Sequence, residues 1–173
     1  MIQRNMTLWL TGRPCSGKTS ISKELNTELS SRGLHVVKLD GDVVRTGLNK
    51  DLGFSPKDRI ENLRRVAHVC QIFNDNGIFV IATFVSPTND LREMVREIIP
   101  NFKMCYVSCP LEVAEKRDVK GMYKKARIGI IKEFTGISAP FEEPINPDII
   151  VDSGQTSLID CVKRIVGFLE EGK

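Results

Sequence analysis

The chain has 173 residues, of which 41% are hydrophobic, and its formal net charge is +3. This length favours one well-cored domain over two, so we expect a single domain over residues 1–173. No apolar run approaches the roughly 20 residues that a membrane span needs, and the first five residues lack the apolar core of a signal peptide. We therefore expect a cytoplasmic protein that does not bind membranes. The five cysteines show no C-x-x-C spacing, which argues against a disulfide framework or a zinc site.

A phosphate-binding motif follows the first apolar run. Residues 6–11 read as a buried strand, and GRPCSGKTS (12–20) fits G-x-x-x-x-G-K-[ST] ahead of a helical pattern over residues 20–32. In such a loop, backbone N–H groups surround phosphate oxygens, the lysine reaches the β/γ-phosphates and the Ser/Thr hydroxyl binds Mg²⁺. The motif predicts ATP and Mg²⁺ as cofactors, and a chance glycine turn is the alternative reading. The expected nucleotide-binding residues are Gly12, Cys15, Ser16, Gly17, Lys18, Thr19 and Ser20. Cys15 stands where many such loops have another glycine.

A pair of carboxylates follows the second predicted strand, residues 35–39. Asp40 and Asp42 lie in the sequence DGD at the carboxyl end of that strand. Phosphoryl transfer to an alcohol needs a metal near the phosphates and a carboxylate that accepts the hydroxyl proton, and these two residues are candidates for the two roles. The alternative is a capping or turn pair, because DGD is common in loops.

Helices and strands alternate along the rest of the chain. Helical patterns cover residues 57–76, 90–99, 110–117 and 157–171, and strand patterns cover 78–84, 102–107 and 148–152. This order predicts an α/β fold of the P-loop NTPase type, a parallel sheet of about five strands with helices on both faces and ligands beyond the carboxyl ends of the strands.

A basic segment interrupts this alternation. Residues 118–147 have no clear helix or strand pattern, and residues 116–132 carry seven Lys and Arg residues against the single Asp118. Long irregular segments in compact domains are often lids or binding loops, so we expect a lid at about 116–147 that faces a multiply charged small ligand. A solvated surface loop is the alternative. A nucleic-acid partner is not expected, because such proteins usually spread positive charge over a longer stripe with interleaved aromatic residues.

Two longer blocks carry a family resemblance. LDGDVVRTGLNKDLGFSPKDRIENLRR (39–65) and KGMYKKARIGIIKEFTGISAPFEEP (120–144) resemble the adenylylsulfate (APS) kinase family. The resemblance implies ATP-dependent phosphorylation of the ribose 3′-hydroxyl of APS, which gives PAPS in sulfate assimilation, by a homodimer. It implies that Asp42 is the base and that Asp40 and Thr19 support the metal. It also implies that Arg45, Arg59 and Asn62 bind the phosphosulfate and sugar. Phe54 and Phe134 would then sandwich the adenine. It also places Lys120 in the mobile lid and Val85 and Ser86 at the acceptor; the family describes a phosphorylated serine at the position of Ser86, which direct in-line transfer makes dispensable.

The chain departs from the family pattern at three places. It has GRPCSGK where the family usually has GLSGAGK, DGDV where the family has DGDN, and SPT where an aromatic residue usually follows Ser-Pro. These changes leave open a related kinase that phosphorylates the 3′-hydroxyl of another nucleotide-linked acceptor, for example a cytidine-linked one. A non-catalytic NTP-binding adaptor is a more remote alternative, against which the intact Lys18, Thr19, Asp40 and Asp42 argue.

Overall fold

A computed structural model describes residues 1–172 and contains one parallel sheet flanked by helices. The five strands lie in the order β2-β3-β1-β4-β5, and every neighbouring pair is parallel. The strands are β1 Thr7–Thr11, β2 Val36–Asp40, β3 Phe79–Thr83, β4 Phe102–Ser108 and β5 Ile149–Asp152. The helices are α1 Lys18–Ser31, α2 Gly41–Thr46, α3 Pro56–Asp75, α4 Asn89–Ile98, α5 Leu111–Lys116, α6 Met122–Arg127 and α7 Leu158–Glu171. The fold class expected from the sequence is confirmed.

The core has two layers, one on each face of the sheet. On one face, Leu8 and Leu10 of β1 pack with the apolar sides of α1 and α7; on the other, Trp9 packs with α3 and α4. Successive side chains of a strand point to opposite faces, so a central strand covered on both sides is buried at every position. All five residues of β3 are buried for this reason.

The strand register brings the predicted site residues to one edge. Thr83 is aligned with both Leu10 of β1 and Asp40 of β2, and Thr11 is aligned with Tyr106 of β4. The carboxyl ends of β2, β3, β1 and β4 therefore lie side by side, and the segments that follow them form one surface.

Two short helices were not predicted from the sequence. Helix α2 begins directly after the second strand, and α6 lies inside the basic segment that had no clear pattern. Tyr123 and Ala126 of α6 are buried, so this part of the segment is packed against the body of the protein. All five cysteines are free; four are buried and Cys15 is partly exposed.

None of the helices in residues 1–172 is long and apolar enough to cross a membrane.

Candidate active site

The phosphate loop is seated directly on the sheet. A Cβ atom on Gly12 would lie 2.5 Å from the carbonyl oxygen of Val107 in β4, so only glycine fits at this position. Gly17, with φ of 93°, ends the loop as the N-cap of α1, and Cys15 adopts a left-handed conformation with φ of 60°. Cys15 thus takes the backbone conformation for which glycine is usually required, at a cost of about 1–2 kcal/mol.

Lys18 fills the centre of the loop. Its Nζ donates hydrogen bonds to the carbonyl oxygens of Gly12 (2.8 Å) and Arg13 (2.7 Å) and lies 3.4 Å from Oγ of Ser16. Burial lowers the pKa of Lys18 from 10.5 to about 8, and the nearby carboxylates of Asp40 and Asp42 offset this only in part. The ammonium group is held where the β/γ-phosphates of a nucleotide would be expected.

Asp40 of the DGD sequence caps a helix and also lies beside the phosphate loop, so the capping role and the proposed metal role are compatible. Oδ1 of Asp40 accepts a hydrogen bond from the backbone N–H of Asp42 at 2.9 Å and so caps α2. Its Oδ2 accepts from the hydroxyls of Thr83 (2.8 Å) and Thr19 (3.2 Å). Asp40 is therefore a capping residue that also faces the last residue of the G-K-T motif.

Thr19 and Asp40 together fit a magnesium ion. Mg²⁺ is usually bound by one or two protein oxygens, with phosphate and water oxygens completing its shell. Residues 1–172 contain no group of three His, Cys, Asp or Glu side chains that could hold a metal alone. A hydroxyl and a carboxylate beside the phosphate loop are thus the donor set expected for a metal that arrives with a nucleotide.

Asp42 forms an ion pair with the basic segment. Lys120 Nζ lies 2.8 Å from Oδ2 of Asp42, and both side chains are largely exposed, at 73% and 80% respectively. The hydrogen bond to Asp42 raises the pKa of Lys120 above its usual value. Pairs this exposed contribute little to stability, so the contact is easily exchanged for another partner.

Two arginines contact the ring of Phe54, which brings an aromatic surface and positive charge together. Cζ of Arg45 is 4.3 Å and Cζ of Arg59 is 5.7 Å from the centre of the Phe54 ring. Phe54 as a residue is 58% exposed. Burial and the like charge of Arg59 lower the pKa of Arg45. Two guanidinium groups held this close favour an anion between or beside them.

Arg59 also connects the Phe54 loop to the segment that carries Phe134. Its Nε donates to the carbonyl of Phe54 at 3.0 Å, and its Nη2 donates to the carbonyl of Glu133 at 2.8 Å. Phe134 itself is partly buried and packs edge to face on Tyr123, with ring centres 4.9 Å apart. The two phenylalanines predicted to sandwich a base are thus linked through one arginine.

Three of the predicted acceptor residues are held inside the fold. Asn62 is buried and accepts a hydrogen bond from Asn49 Nδ2 at 3.0 Å. Ser86, 2% exposed and with φ of 43°, accepts a hydrogen bond from Trp9 Nε1 at 2.9 Å. The carbonyl of Val85 accepts one from Thr11 at 2.8 Å.

Sequence reasoning did not identify several residues that hold these groups in place. The hydroxyl of Tyr123 donates to the carbonyl of Pro14 at 2.8 Å, which ties α6 to the phosphate loop. Arg13 lies over the ring of Phe141, and Arg92 is 1% exposed with all three guanidinium nitrogens hydrogen-bonded. The only signal for any of them was Arg13, which stands within a motif that departs from the usual family pattern.

Comparisons with known proteins agree with this geometry. Residues 4–152 match the sequence model of the family described as Adenylylsulphate kinase. The chain is 49% identical to the adenylyl-sulfate kinase of Emericella nidulans, covering 99% of this chain and 88% of that protein, and 51% identical to that of Bacteroides fragilis, covering 95% and 82%. Among solved structures, the Mycobacterium tuberculosis APS kinase CysC in complex with AMPPNP and APS superposes with a TM-score of 0.93 at 39% identity, covering 96% of this chain and 98% of that one.

Proposed function

The chain belongs to the adenylylsulphate kinase family, and from that membership we propose that it transfers the γ-phosphoryl group of ATP to the ribose 3′-hydroxyl of adenylylsulfate. The products are ADP and PAPS, so the protein is a phosphotransferase with an alcohol acceptor that serves sulfate activation. The observation that carries the proposal is the meeting, at one edge of the sheet, of a phosphate loop, the Thr19–Asp40 pair and the arginine-flanked Phe54.

The donor side is formed by the loop of residues 12–20. Its backbone N–H groups and the start of α1 attract phosphate oxygens, and Lys18 leaves its two carbonyl partners for the β/γ-phosphates. Thr19 and Asp40 would hold Mg²⁺, which neutralises charge on the phosphates when it is bound.

The acceptor side is formed by α2, α3 and the segment around Phe134. Arg45, Arg59 and Asn62 bind the phosphosulfate and sugar, and Phe54 and Phe134 stack on the adenine. This assignment is supported by the cluster of two guanidinium groups at Phe54 and by the contacts of Arg59 with both aromatic segments.

Asp42 is assigned as the base. In the direct reaction, the 3′-oxygen forms a bond to the γ-phosphorus, the bond to the β,γ-bridging oxygen of ATP breaks, and the hydroxyl proton passes to the carboxylate of Asp42. Lys120 is paired with this carboxylate, so Asp42 must exchange Lys120 for the acceptor hydroxyl before transfer.

Ser86 is assigned a positioning role rather than that of a phosphorylated intermediate. Its hydroxyl is buried and accepts a hydrogen bond from Trp9, which supports a fixed orientation of the loop that begins at Val85. The proposal accordingly has the phosphoryl group transferred in one step, directly from ATP to the acceptor.

The test is ADP release from ATP and Mg²⁺, measured with and without APS. APS-dependent release together with formation of the 3′-phosphorylated product supports the proposal. Nucleotide binding without turnover would point to the adaptor alternative and contradict it.

The second candidate, a kinase for a different nucleotide-linked acceptor, rests on Val43. This residue stands next to Asp42, is 67% exposed, and replaces the asparagine of the usual family pattern. Because stacking contributes about 1–3 kcal/mol with any base, Phe54 and Phe134 do not select adenine by themselves. A panel of adenosine-, cytidine- and uridine-linked acceptors at equal concentration separates the two candidates, since a much higher kcat/KM for a pyrimidine compound would favour the second.

The cytoplasm is the proposed location, because both nucleotide substrates are expected there. A homodimer, which the family resemblance implies, is the proposed assembly, and light scattering coupled to size-exclusion chromatography would test it.

A further inference from the structure

Phe141 lies within an aromatic and cationic cluster above the sheet edge. Cζ of Arg13 is 4.8 Å and Cζ of Arg92 is 5.3 Å from the centre of its ring, and the ring of Tyr106 lies 6.4 Å away at an interplanar angle of 29°. Arginine over an aromatic face is attracted by the ring quadrupole, and more strongly where water is excluded. Arg92 is 1% exposed and Tyr106 is 7% exposed, so the cluster is built on a dry base.

Arg13 contacts Lys18 of the phosphate loop, where the donor nucleotide is expected, and also the segment that contains Gly136 and Phe141. Its carbonyl oxygen accepts a hydrogen bond from Nζ of Lys18 at 2.7 Å, which places it on the donor side. Its guanidinium group lies over Phe141, and its Nη1 lies 3.0 Å from where a Cβ of Gly136 would be.

The segment that Arg13 contacts is an internally fixed unit, which we call the acceptor arm (residues 133–142). The carbonyl of Phe134 accepts backbone hydrogen bonds from residues 137, 138 and 139 at 3.0–3.1 Å, and its N–H donates to Oγ of Ser138 at 2.9 Å. At the other end, Glu142 donates its N–H to the carbonyl of Pro87 at 2.8 Å and accepts from Arg92 Nη2 at 2.6 Å. Phe141 and Phe134 thus belong to one short segment that is hydrogen-bonded at both ends.

We propose that Arg13 is a positioning residue that couples nucleotide binding at the phosphate loop to the placement of Phe134 at the acceptor. The inference rests on the proposed function. When phosphates draw Lys18 away from the Arg13 carbonyl, the loop changes its hydrogen bonding next to the residue that holds the arm. A leucine at this position would carry no charge to place over the ring, so the link depends on the guanidinium group of Arg13.

The coupling is measured as a ratio of affinities. Isothermal titration gives the Kd of APS with and without saturating AMPPNP, and the ratio of the two values is the coupling between the sites, which is the same in either order of binding. We expect AMPPNP to tighten APS binding to the wild-type protein. Loss of the Arg13–Phe141 contact should bring the ratio towards one and raise the KM for APS by about 2- to 30-fold, the range expected for a cation–π contact, with a smaller effect on kcat.

The variants isolate the contact between the charge and the ring. Arg13→Leu removes only the contact of Arg13 with the ring, whereas Phe141→Leu also removes the contacts of the ring with Arg92 and Tyr106. The double variant should therefore lose no more than Phe141→Leu alone, because that variant already lacks the Arg13 contact. Arg13→Lys keeps a cation and should retain most of the ratio. Lys103→Leu removes a cation 5.8 Å from Phe168, away from the site, and serves as the matched control that leaves the ratio unchanged. Melting curves show that each variant is folded.

The inference is overturned by a wild-type ratio of one, by Arg13→Leu with a wild-type ratio and KM, by additive effects in the double variant, or by an Arg13→Lys variant as impaired as the leucine one. Each of these outcomes leaves APS-dependent ADP release by the wild-type protein intact. A wild-type protein without that release would instead contradict the proposed function, so the two failures are distinguishable.

Discussion

Lys18 is the titratable group at the centre of the phosphate loop. Its ammonium group donates to two carbonyl oxygens, and burial lowers its pKa to about 8. A polyphosphate favours the charged form and therefore raises the pKa of the bound state. The protonation of a single residue thus links nucleotide affinity to pH.

We expect ATP binding to take up a proton above about pH 8. The free enzyme loses the Lys18 proton as the pH rises through about 8, whereas the bound enzyme keeps it to a higher pH, so affinity falls with pH across this interval. Titration calorimetry of a nucleotide analogue in buffers of different ionisation enthalpy measures the uptake. Lys18→Arg stays charged throughout and should bind without it; the same uptake in that variant would assign the proton to another group.

Substitutions at Lys18 and Asp42 should separate binding from base catalysis. Asp42→Ala should lower kcat by on the order of 10²-fold or more while nucleotide affinity is kept, because its carboxylate is assigned to the acceptor hydroxyl. Lys18→Ala should lose transfer to a similar extent and weaken nucleotide binding as well. Neither should unfold the protein, since Asp42 is 80% exposed and Lys18 is the first residue of α1, outside the apolar core. Near-normal turnover by Asp42→Ala would refute its role as base.

Most elements could be predicted from the sequence, including the six-residue α5 and the four-residue β5, whereas two other six-residue helices could not. Helix α3 shows several turns of apolar periodicity, and β3 is apolar up to its last residue, Thr83, so both were expected with ends within one residue of those observed. Helices α2 and α6 have six residues each, too few for an apolar period to repeat, and neither follows a proline as α5 does. Helix α2 depends on the cap from Asp40, and α6 on the caps from Asp118 and the burial of Tyr123, which are contacts that a linear pattern does not contain.

In the site, features that are local in sequence could be predicted, whereas contacts between distant residues could not. The G-K-T motif is local in sequence, so the loop and the place of Thr19 followed from spacing alone. The pairing of Thr19 with Asp40 depends on the order of the strands in the sheet. The alternation of strands and helices predicts a parallel sheet but not that order. The Arg13–Phe141 and Tyr123–Pro14 contacts join residues more than 100 positions apart, and no residue pattern marks either partner.

The basic segment should exchange its amide hydrogens unevenly. Residues 127–133 are largely exposed, whereas α6 and the acceptor arm are anchored, the first by Tyr123 and the second by Phe141 and Glu142. We therefore expect fast exchange in 127–133 without ligands and slower exchange with ADP and APS together, with α6 protected in both states. Equal protection of 127–133 in the two samples would contradict a lid there, and rapid exchange throughout 116–147 would show that the whole segment is mobile.

At the scale of the whole molecule, stability and activity depend on the same sheet edge. Gly12 closes the phosphate loop onto β4, and its missing side chain permits an approach that no other residue allows. Gly167, in the middle of α7, has no such neighbour, so an added Cβ would meet open space. A side chain at position 12 would therefore clash, whereas one at position 167 would be accommodated.

Replacing each by alanine should change the free energy of unfolding in opposite directions. Gly12→Ala should destabilise the protein by about 1–3 kcal/mol through the clash with Val107, and should also impair nucleotide binding. Gly167→Ala should stabilise it by up to about 1 kcal/mol, because alanine is the better helix former, and should leave binding unchanged. Thermal unfolding followed by circular dichroism measures both; a stabilised Gly12→Ala protein would contradict the packing of the loop on the sheet.

Trp9 gives the molecule a built-in optical reporter. It is the single tryptophan of the chain, it is fully buried in β1, and its indole N–H donates to Ser86 while its ring stacks on Phe84 with centres 4.9 Å apart. Excitation at the red edge of the aromatic absorption band therefore excites Trp9 alone. Because this side chain is shielded from water, its emission should lie at short wavelength. Because its hydrogen-bond partner begins the loop assigned to the acceptor, arrival of the acceptor should alter the emission intensity. Rapid-mixing fluorescence can then time that arrival on the unlabelled, unmodified enzyme.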